Sequence, residues 1–159
     1  MRKVCSPVLV VSNPAGNVMT TGPGGKPRLR RILYCTDFPM NSGRALQYAI
    51  SLAVEYGAEL TLFHVVEGAP DLTAAKAVIS ARTEQLDNLM AGNSSEHLKV
   101  KTAVRCGKPY EEVVGYAKQV QAHLIVMTAR GDSLDRVVFG STTYRVIQLG
   151  PCPVLAIHT

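Results

Sequence analysis

The sequence predicts an α/β fold: a doubly wound, five-stranded parallel sheet with helices on both faces. Short apolar segments alternate with amphipathic segments from residue 31 onward, and this alternation is typical of right-handed βαβ units. The segment 123–128 (HLIVMT) is apolar on both faces, as a central parallel strand should be. The chain has 159 residues, of which 47% are hydrophobic and 18% charged, so its composition is that of one globular domain.

The first half of the alternation predicts two strands and two helices. Arg31–Cys35 forms the first core strand and Glu59–Val66 the second. Between them, apolar residues recur at three- and four-residue steps over 42–56, which predicts a helix. Asp71 is expected to cap a second helix that runs to about residue 91.

The second half predicts three more strands and two more helices. Lys99–Val104 is the third strand, and its outward lysines indicate an edge of the sheet. Pro109 stands at a favoured first position of a third helix. His123–Thr128 is the fourth strand, a last helix covers 141–148, and Pro153–Ile157 is the fifth strand.

Residues that directly follow the strands are the first candidates for a binding site. Sheets of this kind bind ligands outside the carboxyl ends of their strands, at the point where the strand order reverses. The candidates after the first, second and fourth strands are Thr36 and Asp37, Val65 to Glu67, and the stretch that begins at Thr128.

The stretch 128–145 (TARGDSLDRVVFGSTTYR) carries the strongest signal in the chain. A strand leads into a loop that holds Gly131, and Gly140 is then followed by Ser141 and Thr142 at a helix start. Unpaired backbone N–H groups and the positive end of the dipole make a helix start suitable for an anion. A capped helix without any ligand is the alternative that spacing alone leaves open.

Together with ILYCTDF, ELTLFHVVEG, CGKPYEEVVGYA and CPVLAI, this stretch resembles the universal stress protein family from Arg31 to His158. The resemblance implies the sheet order 3-2-1-4-5 and a site for ATP or a related adenine nucleotide. It implies that Asp37 and Val65 contact adenosine, with Thr36 beside them. The ribose and phosphates would be lined by Thr128, Gly131, Gly140, Ser141 and Thr142, with Arg130 adding charge.

The glycine motif departs from the family pattern Gly-x2-Gly-x9-Gly-(Ser/Thr). Thr128 stands at the first glycine, and only eight residues separate Gly131 from Gly140, where the family pattern has nine. Asp132 and Asp135 are expected near the phosphates, where they face solvent, pair with neighbouring arginines or help to hold Mg²⁺. Three functions follow: a nucleotide-binding stress-response module, a nucleotide-independent interaction protein with a degenerate site, and a slow ATPase.

Other functional classes find less support in the sequence. There is no nucleophile–base signature and no metal-ligand spacing among the histidines and cysteines, so neither fast catalysis nor a metal site is predicted. Four scattered cysteines predict buried thiols in a cytoplasmic protein. The net charge of +5 includes the cluster 26–31 (KPRLRR), interpreted as a solvated linker end rather than a nucleic-acid contact. No apolar run is long enough for a membrane helix.

The N-terminus repeats the end of the chain. Residues 5–12 (CSPVLVVS) resemble residues 151–158 (PCPVLAIH), the closing strand of the domain. The predicted organisation is therefore an N-terminal strand over 1–11, left from a preceding universal stress protein domain, then a Gly/Pro-rich linker over 12–29 and the domain itself over 30–159. The N-terminal strand is expected to run antiparallel to the fifth core strand, within the chain or exchanged in a homodimer.

Overall fold

The computed structural model describes residues 7–11, 24–25, 28–38, 43–68, 71–93, 97–129 and 139–158, whose strands form one six-stranded sheet. The strands are β1 (Val8–Val10), β2 (Arg31–Cys35), β3 (Glu59–Val66), β4 (Val100–Cys106), β5 (Leu124–Ala129) and β6 (Val154–His158). Their order across the sheet is β1-β6-β5-β2-β3-β4. Pairing is parallel from β6 to β4, and β1 lies antiparallel to β6.

Four helices within the described ranges cover the two faces of the sheet: α1 (Gly43–Tyr56), α2 (Leu72–Ala91), α3 (Pro109–Gln119) and α4 (Ser141–Leu149). Apolar residues of α1 and α2 form one core with one face of the strands, and residues of α3 and α4 form a second core with the other face. None of these described helices is long and apolar enough to cross a membrane.

The predicted sheet order is confirmed. In the numbering used here, 3-2-1-4-5 becomes β4-β3-β2-β5-β6, with the N-terminal strand added antiparallel at the β6 edge as the sequence predicts. The order reverses between β2 and β5, because β2 pairs with β3 on one side and with β5 on the other. A ligand site is therefore expected where these strands end.

Helix starts follow the predicted local chemistry. The Asp71 carboxylate accepts hydrogen bonds from the backbone N–H groups of Thr73 and Ala74 at 2.8 and 2.7 Å, which caps α2. Pro109 occupies the first turn of α3, where its missing N–H costs nothing.

The largest error in a predicted boundary is at β4, which extends two residues past Val104, whereas the predicted ends of β5, β6 and α4 differ from the observed ones by at most one residue. Arg105 and Cys106 pair with Val65 and Val66, because β3 continues to Val66 and provides a partner for each of them. The Arg105 side chain is partly exposed and donates a hydrogen bond to the Gln119 side chain at 2.5 Å. A charged residue can therefore occupy this strand position. Most of the predicted linker over 12–29 lies outside the described residues.

Candidate functional site

A cavity of about 520 Å³ opens at the carboxyl ends of β2, β3 and β5, beside the start of α4. Sites for small molecules commonly have volumes of roughly 300–1,000 Å³. Predicted binding residues that line this cavity are Thr36, Asp37, Val65, Thr128, Gly140, Ser141 and Thr142. Arg130 and Gly131, which were also predicted, lie outside the described residues.

A tight turn after β2 brings Asp37 to the cavity. The buried Thr36 extends the ladder by one bond, since its N–H donates to the Phe63 carbonyl at 3.0 Å. The Thr36 hydroxyl then accepts from the Phe38 N–H at 3.1 Å, across a turn in which Phe38 has a φ of 60°. These bonds fix the backbone on both sides of Asp37, whose side chain is exposed at the cavity wall.

The backbone groups of Val65 point to the space beyond the carboxyl end of β2. Successive residues of a parallel strand direct their N–H and C=O groups to opposite neighbours. The Phe63 carbonyl bonds towards β2, to Thr36, and the Val66 carbonyl bonds towards β4, to the Gly107 N–H at 3.0 Å. Val65 therefore points its backbone groups to the β2 side, just beyond the last residue of β2. A ligand there can bond to main-chain donor and acceptor groups.

His64 also belongs to the cavity wall, a position that the sequence did not indicate. Its side chain is buried, with Nδ1 2.8 Å from the Thr36 carbonyl oxygen, so Nδ1–H donates and Nε2 is an acceptor. The Phe38 ring packs on the imidazole at 4.5 Å, and the Arg82 guanidinium lies 5.4 Å from the centre of that ring. Burial lowers the pKa of His64, and the positive charge of Arg82 lowers it further, against the opposing effects of the Thr36 bond and Asp37.

The lowered pKa of His64 makes stability depend on pH. The folded chain binds a proton at His64 less readily than the unfolded chain, whose pKa is about 6.5. The free energy of unfolding is therefore expected to fall as the pH drops from about 6.5 towards the folded pKa, and to stop falling on this account below it. Urea titrations between about pH 7 and pH 5 measure this slope, and His64→Gln should make it shallower.

His97→Gln is the matched control, because His97 is exposed. His123 has a pKa lowered by burial and by Arg31 and Arg30, so part of the slope should survive in His64→Gln. If the slope in His64→Gln equalled that of the wild-type chain, the imidazole would not be held neutral by this environment.

The start of α4 lies on the β5 side of the cavity, across β2 from the residues of β3. Gly140 is the N-cap and has no side chain that could accept a hydrogen bond from the first N–H groups of the helix, and the first turn holds no acidic residue. The Thr143 hydroxyl is buried and donates to the Thr128 carbonyl at 3.4 Å, which ties the helix start to the end of β5. The first turn of α4 borders the cavity through Gly140, Ser141 and Thr142, and the first N–H groups of a helix have no partner within it. This arrangement suits an anion.

Helical residues complete the wall and were missed by the sequence reading. Arg82 comes from the middle of α2, and Pro109 and Val113 come from the first turns of α3. Their approach depends on how each helix docks on the sheet. The only signal in the sequence is an arginine within an otherwise weakly charged stretch of α2, which is too common to single out.

Two thiols of the domain are structural, and the third described cysteine, Cys106, is half-buried at the end of β4. Cys35 and Cys152 are buried in the core under α3 and α4. Burial raises the pKa of Cys152 to about 12. Burial also raises the pKa of Cys35, and the nearby Cys152 adds to the effect. Both therefore stay protonated at neutral pH and are poor nucleophiles, although Cys35 lines the cavity.

A metal could be held only with help from other groups, as far as the described residues go. Among them no three histidine, cysteine, aspartate or glutamate side chains come together as ligands. Asp132 and Asp135, which the sequence placed near the phosphates, lie outside the described residues.

Solved structures share this fold. UspA from Lactobacillus plantarum is 30% identical with a TM-score of 0.64, and the match covers 83% of this chain and 99% of that chain. Two structures that are 21% identical were determined with nucleotides. One is a universal stress protein in complex with cAMP, with a TM-score of 0.64 over 83% of this chain and 99% of that one. The other comes from Archaeoglobus fulgidus in complex with dAMP, with a TM-score of 0.58 over 82% and 98%.

Sequence comparison agrees with the structural likeness. Universal stress protein YxiE of Bacillus subtilis is 29% identical over 145 residues, which cover 80% of this chain and 98% of the relative. The sequence model of the universal stress protein family matches residues 28–158, the whole region from just before β2 to the end of β6. The chain belongs to the universal stress protein family.

Proposed function

We propose that the chain binds an adenine nucleotide (ATP, ADP or AMP) and acts as a binding and signalling module in a stress response. The observation that carries this proposal is the polarity of one cavity, with a carboxylate and main-chain groups at one end and the N-terminus of α4 at the other. A nucleotide has the matching polarity, with a hydrogen-bonding base at one end and phosphates at the other. The cAMP and dAMP complexes of proteins with this fold support an adenine base.

At the base end, Asp37 and Val65 read the edge of adenine. The Asp37 carboxylate accepts a hydrogen bond from the exocyclic amine, and the backbone of Val65 bonds to the ring. Guanine carries a carbonyl oxygen in place of that amine, so it would turn an acceptor towards the carboxylate. GTP should therefore bind more weakly than ATP.

At the phosphate end, the first N–H groups of α4 receive the anion. The Ser141 and Thr142 hydroxyls add donors, and Gly140 leaves room for close approach of the phosphates. Arg130 and Gly131 complete this end in the proposal. With a triphosphate, Mg²⁺ would be held by phosphate oxygens and water, with Asp132 or Asp135 as the protein ligand.

We further propose that the protein lies in the cytoplasm and forms a homodimer. Cysteines without disulfide partners among the described residues suit the reducing cytoplasm. The β6 edge of the sheet is proposed as the contact of a homodimer. Signalling would then depend on which nucleotide occupies the cavity, without rapid chemistry, since the cavity wall offers no activated nucleophile among its described residues.

Three measurements test the proposal. Mass spectrometry of small molecules released from denatured, freshly purified protein should find an adenine nucleotide. Isothermal titration calorimetry should show binding of ATP, ADP or AMP at about one nucleotide per chain, with GTP weaker. If none of the adenine nucleotides binds at millimolar concentration, the nucleotide-independent alternative with a degenerate site replaces the proposal. Turnover of ATP near the enzyme median of about 10 s⁻¹ would contradict the absence of rapid chemistry.

A further inference from the structure

The strand β1 repeats the sequence of the strand with which it pairs. Residues 7–11 read Pro-Val-Leu-Val-Val, and residues 153–157 read Pro-Val-Leu-Ala-Ile. Aligning the two prolines makes Leu9 equivalent to Leu155. β1 and the core strand β6 are therefore two copies of one short pattern, placed side by side at one edge of the sheet.

The register of this pairing is symmetric. The opposite pairs are Val8 with Ala156, Leu9 with Leu155, and Val10 with Val154. Under the alignment of the two prolines, each pair maps onto another pair of the same set, and the leucine pair maps onto itself. A local two-fold axis therefore passes between Leu9 and Leu155. A contact between two β6 strands from identical subunits would have this symmetry, since a two-fold interface joins the same patch on both sides.

The two copies differ in what covers them. Ile157 is 1% exposed in the core under α1 and α2, whereas its equivalent Val11 is 65% exposed. Leu155 packs partly buried against the same core, whereas Leu9 is 50% exposed. Among the described residues, β1 thus has the side chains of a core strand, but Leu9 and Val11 are not buried by a helix.

We propose that β1 is an internal substitute for the β6 strand of a second copy of this chain, and that it competes with homodimer formation. The β6 edge has room for one partner strand, so β1 must leave before a second β6 can pair with Leu155 opposite Leu155. This inference concerns the control of the homodimer proposed above. It does not depend on nucleotide binding.

Covalent linkage favours the closed state at low concentration. A strand carried by the same chain meets the β6 edge at an effective concentration on the order of millimolar, which a second molecule must match. The dimer would gain a longer strand pairing and would bury apolar surface that β1 leaves exposed. Descent of β1 from the closing strand of a preceding domain, as the sequence predicts, accounts for its pattern and remains compatible with this role.

The first experiment releases β1 in the full chain. Asp replaces both Val8 and Val10, which are half-buried beside Val154 and Ala156, so that two carboxylates would have to lie against apolar surface. The dimer dissociation constant from sedimentation equilibrium should tighten at least about tenfold relative to the wild-type chain. The matched control Val11→Asp puts the same charge at an exposed position and should change little. A released variant that is folded by circular dichroism and no more dimeric than the wild type would overturn the inference.

The second experiment locks β1 in place without disturbing the core. Leu9→Cys with Leu155→Cys joins directly opposite residues, whose Cα atoms are about 4.5–5.5 Å apart in an antiparallel pair, a distance suited to a disulfide. Cys5→Ser and Cys106→Ser remove competing thiols. The oxidised chain should stay monomeric at concentrations where the reduced chain dimerises. Equal dimerisation of the two forms would overturn the inference.

A single cysteine reports the register of the dimer. In the released variant, Leu155→Cys should cross-link two copies, because residue 155 meets itself on the two-fold axis. Leu72→Cys, at an exposed leucine on α2, is the control and should not cross-link. A dimer that Leu155→Cys fails to cross-link would use another surface and would contradict the proposed contact. Calorimetry with ATP on the locked chain tests the nucleotide proposal separately. If the locked chain binds no ATP while dimerisation still depends on the release of β1, only the nucleotide proposal is contradicted.

Discussion

Valine in place of Gly140 is expected to weaken the binding of ATP at least about tenfold, or about 1.4 kcal/mol of binding free energy. Gly140 lies immediately before α4 and lines the cavity. A Cβ atom built at this position has no heavy atom within 4 Å, and the backbone φ of −56° is open to any residue. The fold should therefore accept the valine, whose branched side chain would occupy the space in front of the helix N–H groups.

This combination makes the variant a clean probe of the phosphate end. Calorimetry measures the loss of ATP affinity, and urea unfolding should give a free energy close to that of the wild-type chain. Gly115→Val is the matched control, because Gly115 is exposed on α3 with the same open surroundings and does not line the cavity. If Gly140→Val bound ATP as tightly as the wild type, the phosphates would not lie at the start of α4.

The fold could be predicted because its signals are local. Apolar runs such as HLIVMT identify strands by themselves, and capping residues such as Asp71 mark helix starts within one turn. The ends of strands were harder to predict from the sequence. The ladder of β4 continues through Arg105 because Val65 stands opposite it, and pairing of that kind involves residues far apart in the sequence.

Some residues of the candidate site could likewise be predicted from local sequence, and others could not. Thr36, Asp37 and Thr128 could be predicted as cavity residues because each directly follows or closes a strand, and strand ends meet at one edge of a parallel sheet. Arg82 and Val113 could not, since their place in the wall depends on how α2 and α3 dock on the sheet. His64 could not be predicted as a cavity residue, because an apolar strand context indicates burial and gives no sign of a place at the end of a cavity.

Alanine in place of Gly150 is expected to lower the free energy of unfolding by about 2 kcal/mol, the cost of forcing extra volume into a packed site. Gly150 is buried at the end of α4, and its N–H donates to the Val146 carbonyl at 2.8 Å. A Cβ atom here would lie 2.5 Å from that same carbonyl oxygen, which is backbone and cannot swing aside. The following residue, Pro151, restricts the relaxation of Gly150 further.

Gly115→Ala is the matched control and should move stability the other way. Gly115 lies in the interior of α3 with nothing within 4 Å of its Cβ position, so alanine should stabilise the helix by about 0.5–1 kcal/mol. Urea unfolding of both variants measures the two changes. Gly150 lies at the end of α4, and the start of the same helix borders the cavity. Gly150→Ala should therefore also lower the affinity for ATP, although Gly150 does not line the cavity. Unchanged stability in Gly150→Ala would mean that the end of α4 can shift away from the added methyl group at little cost, and the start of α4 would then not be held in place from this end.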